Sequence, residues 1–291
     1  MRKRLAVVPF LVFMWAASAA AAPLSGFYVV PFANHIPRGD AVEKTDLSLA
    51  NPQTTPINVS VILISYGLHN TLNNIFPVTS VTVPPGGSAL LADVLKNLPG
   101  DYASLGASLG ALLVATDDGS PFVLTSRSYT QRADGSTVGS TIPPTANFLQ
   151  NSTTASGATV TATIPGVRNN ANYRTQIGFV IGNAEAFATY IEFTILDTNG
   201  NSIGSPKAYY LDPGLFAELE VPITDIANQT FDVASVRVRV IGGGAVTAYA
   251  KVIDKMSGDA VYISADQANP ATGTALSTPF HTLMRRFGAV R

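Results

Sequence analysis

The segment "ILDTNGNSIG", from Ile195 to Gly204, carries side-chain oxygens at alternate positions around a glycine. Such a pattern fits either a calcium loop or a tight turn between two strands. A calcium loop of the EF-hand type needs a bidentate glutamate at its twelfth position and a helix on each side. Counted from Asp197, that position holds Ala208, and the flanking sequence alternates as strands do. The segment favours a turn, although a carboxylate from another loop would still allow calcium to bind.

The dipeptide Asn199-Gly200 indicates which turn to expect. Both central residues of a type I′ hairpin loop have positive φ, and Asn-Gly is the sequence that this loop favours. The preceding run "TYIEFTIL", Thr189 to Leu196, places apolar residues at alternate positions, as a strand with one buried face does. We therefore predict an antiparallel hairpin that pairs Ile191–Leu196 with Ile203–Leu211.

The same period of two recurs along the chain. It is found in "INVSVILI" (Ile57–Ile64), "SVRVRV" (Ser235–Val240) and "VTAYAKVI" (Val246–Ile253), which are rich in β-branched residues. Glycine and proline, 24 and 19 residues, separate these runs. Only Ser88–Leu98 and Pro222–Thr230 are candidates for short helices. The pattern predicts an all-β chain built as an antiparallel β-sandwich.

An internal repeat divides the chain into two tandem copies. "TDLSLAN", Thr45 to Asn51, resembles "TQIGFVIGN", Thr175 to Asn183, and a strand pattern follows each. A turn, a possible short helix and two further strands then come in the same order in both copies. We predict a signal peptide and two sandwich modules joined by a linker. The predicted boundaries are 1–22 for the signal peptide, 24–141 for module 1, 142–159 for the linker, 160–264 for module 2 and 265–291 for a C-terminal tail.

The second copy also resembles a known kind of module. The segments "YRTQIGFVIGN" (173–183), "ILDTNGNSIGS" (195–205), "LDPG" (211–214) and "AYAKVIDKMSGDAVYI" (248–263) are similar to the tandem immunoglobulin-like β-sandwich modules of exported bacterial proteins. The first copy lacks the D-x-x-G hairpin. The resemblance implies an immunoglobulin-like sandwich and brings no catalytic motif with it.

The N-terminus predicts export. Arg2, Lys3 and Arg4 precede an apolar run, and "ASAAAAP", Ala17 to Pro23, offers small residues for cleavage. An uncleaved anchor is the alternative. We expect a secreted, periplasmic or cell-surface protein whose mature chain does not span the membrane. Without those three basic residues, 15 basic residues face 19 acidic ones, a net charge of −4, which argues against nucleic acid as a partner.

Several other motifs have an ordinary structural explanation. The chain has no cysteine, so it has no disulfides, and its three histidines show no metal-ligand spacing; we expect neither a metal nor a cofactor. "GASLG" around Ser108 matches G-x-S-x-G, but a hydrolase elbow needs a helix after the serine, and "ALLVAT" follows here. The tripeptide Arg38-Gly39-Asp40 fits an ordinary turn. Tyr209 and Tyr210 are adjacent, so one of them should face outward from a strand. No catalytic residue is predicted.

These observations predict a non-enzymatic structural, surface or matrix protein that acts by protein–protein association, with itself or with another exported protein. A carbohydrate- or protein-binding module of the cell exterior, with polysaccharide among its ligands, is the first alternative. A secreted hydrolase that uses carboxylates in loops is the second. The tail, Gln267 to Arg291, is either an interaction segment or a disordered end.

Overall fold

The computed structural model describes residues 25–70, 75–98, 108–146, 148–150, 161–182, 188–212, 216–241 and 245–267. Within them the fold is all-β, as predicted, with one turn of 3₁₀-helix at Ile223–Asp225. None of the described residues forms a helix with the length and apolarity that crossing a membrane requires. The predicted signal peptide and most of the predicted tail lie outside the described residues.

The described residues form nineteen strands. In the first half of the chain they are β1 (Phe27–Arg38), β2 (Ala41–Ala50), β3 (Ile57–Ser65), β4 (Gly67–Asn70), β5 (Ile75–Val83), β6 (Ser88–Leu91), β7 (Ser108–Thr116), β8 (Val123–Gln131) and β9 (Thr137–Ile142). In the remainder they are β10 (Leu149–Gln150), β11 (Thr161–Asn169), β12 (Tyr173–Gly182), β13 (Thr189–Leu196), β14 (Ser202–Leu211), β15 (Phe216–Pro222), β16 (Phe231–Ile241), β17 (Ala245–Asp254), β18 (Ala260–Ser264) and β19 (Asp266–Gln267).

The two halves share one pattern of strand pairing. In the first, β1 and β3 flank β7, β5 pairs with β3, β2 pairs with β6 and β8, and β8 pairs with β9. In the second, β11 and β13 flank β16, β14 pairs with β13, β12 pairs with β15 and β17, and β17 pairs with β18. All these pairs are antiparallel, and the two sets correspond strand for strand. This correspondence agrees with two tandem copies, while the residue boundaries of the modules stay predictions.

The first half folds one sheet into two layers. Its order is β5-β3-β7-β1-β2-β8-β9, with β6 beside β2. Strand β1 has an irregularity between Val30 and Ala33; its earlier part pairs with β7 and its last residues pair with β2. We call β5-β3-β7-β1 the β3 layer and β6-β2-β8-β9 the β2 layer. Buried side chains of both layers form one core, among them Tyr28, Leu47, Leu49, Val61, Leu63, Leu112, Val114 and Leu124.

The second half has two separate sheets. The β12 sheet has the order β10-β17-β12-β15-β4 with β18 beside β17, and the β13 sheet has the order β14-β13-β16-β11-β19. One core fills the space between them. It includes Ile164, Ile177, Phe179, Ile181, Ile191, Phe193, Ile195, Val236, Val238, Val240 and Ala248.

A third apolar cluster joins the two halves. The β3 layer contributes Phe27, Val29, Ile62, Ile64, Ala111, Leu113 and Ala115, and the β12 sheet contributes Val180 and Ala245. The β3 layer and the β12 sheet are therefore covered on both faces. This double burial explains why "VILI" and "ALLVA" are continuous apolar runs, since a strand buried on both sides has no face for polar residues.

Strands also cross from one half to the other. Strand β4, which follows β3 in the first half, pairs with β15 and so lies at the edge of the β12 sheet. Strand β10 pairs with β17 at Leu149↔Val246. The predicted linker, 142–159, therefore includes a short strand; its residues 147 and 151–159 lie outside the described ones.

The segment Ser88–Leu98 does not form the predicted helix. Its first four residues are β6, which pairs with β2, and a turn follows. Val94, Leu95 and Leu98 are buried in the core of the first half. The apolar residues of this segment are spaced as they would be on one face of a helix, but they pack beneath a turn instead. Over so short a stretch the two arrangements give the same sequence pattern.

The hairpin at Asp197 forms, but with a different turn. Strands β13 and β14 pair antiparallel, as predicted, and end at Leu196↔Ser202. Asp197 N–H donates to the carbonyl of Asn201 at 2.8 Å, which leaves a loop of three residues. Gly200 has φ +85°, whereas Asn199 does not have positive φ. The predicted type I′ turn is therefore wrong: the loop is a three-residue turn with glycine in the left-handed position.

Candidate functional site

A cleft opens between the two halves of the molecule. Its volume is about 590 Å³, and strands of both halves line it. Charged and aromatic side chains face it, among them Arg38, Tyr129, Arg174, Glu220, Lys251 and Tyr262. Sites between domains often bind ligands, because two surfaces supply groups to one cavity. We therefore take the cleft and the buried groups behind it as the candidate site.

Two glutamates of β15 lie at the inner end of this region. Glu218 pairs in register with Val180, and Val180 belongs to the apolar cluster that joins the halves. The side chain of Glu218 therefore points toward the β3 layer. Glu220 is two residues further along the same strand and so lies on the same face. Glu218 is 0% exposed, and neither of its carboxylate oxygens has a hydrogen-bond partner among the described residues.

Glu220, by contrast, has two partners from β17. The hydroxyl of Tyr249 donates to its Oε1 at 2.8 Å. The ammonium of Lys251 lies 3.8 Å from its Oε2. Lys251 also lies 4.5 Å from the centre of the Phe32 ring, on β1, and so receives a cation–π contact from the first half. The ammonium group of Lys251 thus connects Glu220 of the second half to Phe32 of the first.

A glycine makes the Tyr249 contact possible. Strand β12 lies between β17 and β15, and Gly178 of β12 pairs with both Tyr249 and Glu220. A β-carbon at Gly178 would lie 2.0 Å from Cζ of Tyr249. The tyrosine ring thus passes over the glycine to reach the next strand, and any side chain there would block it.

The surroundings raise the pKa values of Glu218 and Tyr249 and so favour their protonated forms. Burial raises the pKa of Glu218 well above its ordinary value, and the charge of Glu220 adds to the effect; Tyr249 and Lys251 oppose it more weakly. Burial also raises the pKa of Tyr249, with the charge of Glu220 acting in the same direction. The carboxyl group of Glu218 therefore binds its proton more tightly than an exposed carboxyl group does. The arrangement can take up or release that proton, but Glu218 itself is closed to any substrate.

Ser108 lies near a histidine and an aspartate. It is the first residue of β7 and pairs in register with His35, whose Nδ1 lies 2.8 Å from Oδ1 of Asp93. Yet no hydrogen bond joins Ser108 to His35 among the described contacts, and Ser108 is only 8% exposed. The element that follows the serine is a strand, as the sequence predicted, and not the helix of a hydrolase elbow.

Asp93 stabilises the turn that follows β6. It is a non-glycine residue with positive φ, 49°. Its N–H donates to Oδ1 of Asp46 at 2.7 Å, and its carboxylate pairs with His35. These contacts hold the turn after β6 in an otherwise unfavourable conformation. They account for His35 and Asp93 without a catalytic role.

The carboxylate of Asp197 is occupied by its own turn. Its Oδ1 accepts hydrogen bonds from the N–H groups of Asn199 and Asn201, each at 2.8 Å. These bonds, chiefly those from Asn201, lower the pKa of Asp197. Within the described part of the chain, no three histidine, aspartate or glutamate side chains converge as a metal site would require.

The remaining sequence candidates lie apart from the cleft, with one exception. Gly39 and Asp40 form the β1–β2 turn, with φ +62° at the glycine, while Arg38 faces the cleft beside Glu43. Tyr209 packs on the core of the second half, and Tyr210 is exposed and contacts Tyr190 in a tilted arrangement, with 5.1 Å between ring centres. His281 and residues 268–291 of the predicted tail lie outside the described residues.

Sequence reasoning missed the groups behind the cleft. The alternation of "FAELEVP", Phe216 to Pro222, places Glu218 and Glu220 on one strand face, and "AYAKV" does the same for Tyr249 and Lys251. Each pattern is also what a strand with one solvent-exposed face would show. What the sequence does not reveal is that the first half covers this face.

Comparisons with known proteins find only distant matches. No protein-family model matches the chain, and no curated protein matches it. Among solved structures, a glycosyl hydrolase family 2 member from Bacteroides cellulosilyticus is 10% identical with a TM-score of 0.19, and the match covers 77% of this chain and 26% of that one. A beta-glucuronidase from glycoside hydrolase family 2 is 8% identical with a TM-score of 0.19, over 79% of this chain and 23% of that one. The chain spans about a quarter of the length of these structures, and matches this weak carry no inference about activity. The resemblance to exported immunoglobulin-like modules stays a prediction.

Proposed function

We propose that this is a non-enzymatic protein of the cell exterior that acts by association, chiefly between copies of itself, through the edge of β5. The observation that supports the proposal is a strand edge without charge. Strand β5 pairs only with β3 among the described strands, and none of its residues is charged. Open edges of this kind accept a further strand, because unpaired N–H and C=O groups gain hydrogen bonds from it.

The corresponding strand of the second half is protected. Strand β14 occupies the place of β5 in the repeated pairing pattern, and it carries Pro206 and Lys207. Proline and lysine on an edge strand discourage further pairing. Strand β5 has a proline only near its start, at Pro77, and Val78–Val83 follows without a charge. An antiparallel pair of two β5 strands would place only valine, threonine and serine side chains opposite one another, which suits a symmetric dimer.

Light scattering of the purified full-length protein tests the proposal. We expect the mean molar mass to rise with concentration toward twice the monomer value. Ser80→Lys, at an exposed position of β5, should hold the protein monomeric. Ser205→Lys is the matched control, since it adds the same charge at an exposed position of β14 and should leave the mass unchanged. A monomer at every concentration, or equal masses for both variants, would overturn the proposal.

A binding module for carbohydrate or protein is the second candidate, and the cleft favours it. Tyr129 faces the cleft and lies under two cations, with Arg127 4.5 Å and Lys44 5.4 Å from its ring centre. Aromatic and cationic groups together suit sugars and acidic groups. Calorimetric titration with neutral and acidic oligosaccharides tests this role. Arg174→Ala in the cleft should weaken binding, while Arg237→Ala on the exposed face of β16 should not.

A further inference from the structure

Strand β15 contacts the first half of the chain in two ways, along its edge and on one of its faces. Its edge pairs with β4, where Glu218 stands opposite Gly67. One residue before β4, the hydroxyl of Tyr66 donates to the backbone carbonyl of Glu220 at 3.3 Å. The face of β15 that carries Glu218 packs against the β3 layer. Any movement of the two halves relative to each other therefore changes the surroundings of Glu218.

We propose that Glu218 is a proton-controlled latch between the two halves: the docked arrangement holds its carboxyl neutral, and its ionisation loosens the contact of β15 with the first half. The inference rests on a carboxyl group that is fully buried at the contact and has no hydrogen-bond partner among the described residues. An ionised carboxylate in such a place lacks solvent, and the one hydroxyl close to it, that of Tyr249, already donates its hydrogen to Glu220 at 2.8 Å, so ionisation is strongly unfavourable.

The charged groups near Glu218 do not offset the free-energy cost of its ionisation. Glu220, on the same strand, repels a second negative charge. Lys251 is the cation that lowers the pKa of Glu218, and it is already engaged by Glu220 and the Phe32 ring, while Arg38 and Arg174 lie further out along the cleft. The other titratable groups are the hydroxyls of Tyr249, Tyr262 and Tyr66, and the pKa of each is raised. The cluster that joins the halves is apolar: valine, isoleucine, leucine, alanine and phenylalanine.

The sign of the pH effect follows from these surroundings. The pKa of Glu218 in the docked protein lies above its ordinary value of 4.5. Docking is therefore fully favourable below that ordinary value and weakens as the pH rises through the raised pKa. Opening the contact lets the carboxyl ionise in water, so the open population grows by up to about tenfold per pH unit across this window.

Hydrogen exchange measured at several pH values tests the latch. The probes are the backbone amides of Gly67–Asn70 and of residues 216–221, and the reference amides are those of Ile191–Leu196, which lie in the other sheet of the second half. After correction for intrinsic exchange, protection of the probe amides should fall as the pH rises above the ordinary carboxyl pKa of 4.5 toward the raised pKa of Glu218, while protection of the reference amides changes less. In Glu218→Gln, which cannot ionise, the probe amides should show no such fall.

A matched control separates the latch from a general charge effect. Glu192→Gln removes a carboxylate from the outer face of β13, where it pairs with Arg239 and is 25% exposed, and should keep the wild-type pH profile. Glu218→Met, of similar size, replaces Glu218→Gln if the latter does not fold. A wild-type profile without any fall, or the same fall in the neutral variant, would overturn the proposal. A fall that is equal in the reference amides would mean global unfolding and would overturn it as well.

Discussion

The hydroxyl of Tyr249 donates a 2.8 Å hydrogen bond to Glu220 across a whole intervening strand. Two strands of the β12 sheet that are not neighbours are thereby joined through their side chains. The contact also faces the first half of the chain, where Lys251 and Phe32 meet beside it. A single glycine, Gly178, leaves room for the tyrosine ring.

Gly178→Ala should therefore destabilise the protein. The new methyl group would meet the ring of Tyr249 in a packed interior, and overpacking of this kind costs about 2 kcal/mol. Urea denaturation measures the loss in free energy of unfolding. In a Tyr249→Ala background the same substitution should cost much less, because the ring is gone. Equal losses in the two backgrounds would show that the ring is not the cause.

Gly200→Val should weaken the β13–β14 hairpin. Gly200 has φ +85°, which a β-branched residue strongly resists, so we expect a loss of about 1 kcal/mol or more in the free energy of unfolding. Ser202→Val, two residues further and equally exposed, is the control and should change stability little. A Gly200→Val protein as stable as the control would contradict the observed turn.

Calcium should leave the melting temperature unchanged. The carboxylate of Asp197 already accepts hydrogen bonds from two backbone N–H groups and from the side chain of Asn201. Differential scanning calorimetry with calcium and with a chelator measures this directly. A calcium-dependent rise of several degrees would show that the loop binds the ion after all.

Ser108→Ala should change no measurable activity. Ser108 is nearly buried, lacks a hydrogen bond to His35 and stands at the start of a strand. We expect neither the wild type nor the variant to hydrolyse p-nitrophenyl esters above the rate in buffer. His35→Ala should instead lower thermal stability, because it removes the partner of Asp93. Ester hydrolysis that disappears with Ser108 would reverse this interpretation.

Asn51→Ala should be among the more damaging single changes. The side-chain amide of Asn51 is buried, and its two N–H groups are shared among the carbonyls of Thr55, Val83 and Pro84, at 2.8, 3.0 and 3.1 Å. Its removal leaves buried carbonyls without donors, at a cost of about 2–3 kcal/mol. Asn58→Ala, which loses one exposed bond to Thr82, is the control and should cost less than half as much. Similar losses from the two variants, measured by urea denaturation, would contradict the assignment.

The strands and the hairpin could be predicted from the sequence because both depend on nearby residues. Alternation in "TYIEFTIL" sets the two faces of β13, and Gly200 requires a turn at that point. The turn type was predicted wrongly, since Asp197 adds hydrogen bonds that favour a longer loop. The site could not be predicted. The carboxyl group of Glu218 is buried because the first half of the chain covers it. The local sequence "FAELEVP" gives no sign of that contact between distant segments.

Strand β4 has a consequence for dividing the chain into separate fragments. It continues the first copy in sequence but completes a sheet of the second in space. A fragment that starts near residue 160 would expose the edge of β15 together with Val180 and Ala245, which the first half now covers. Either half made alone would therefore lack part of its own sheet or expose apolar surface that the other half now covers.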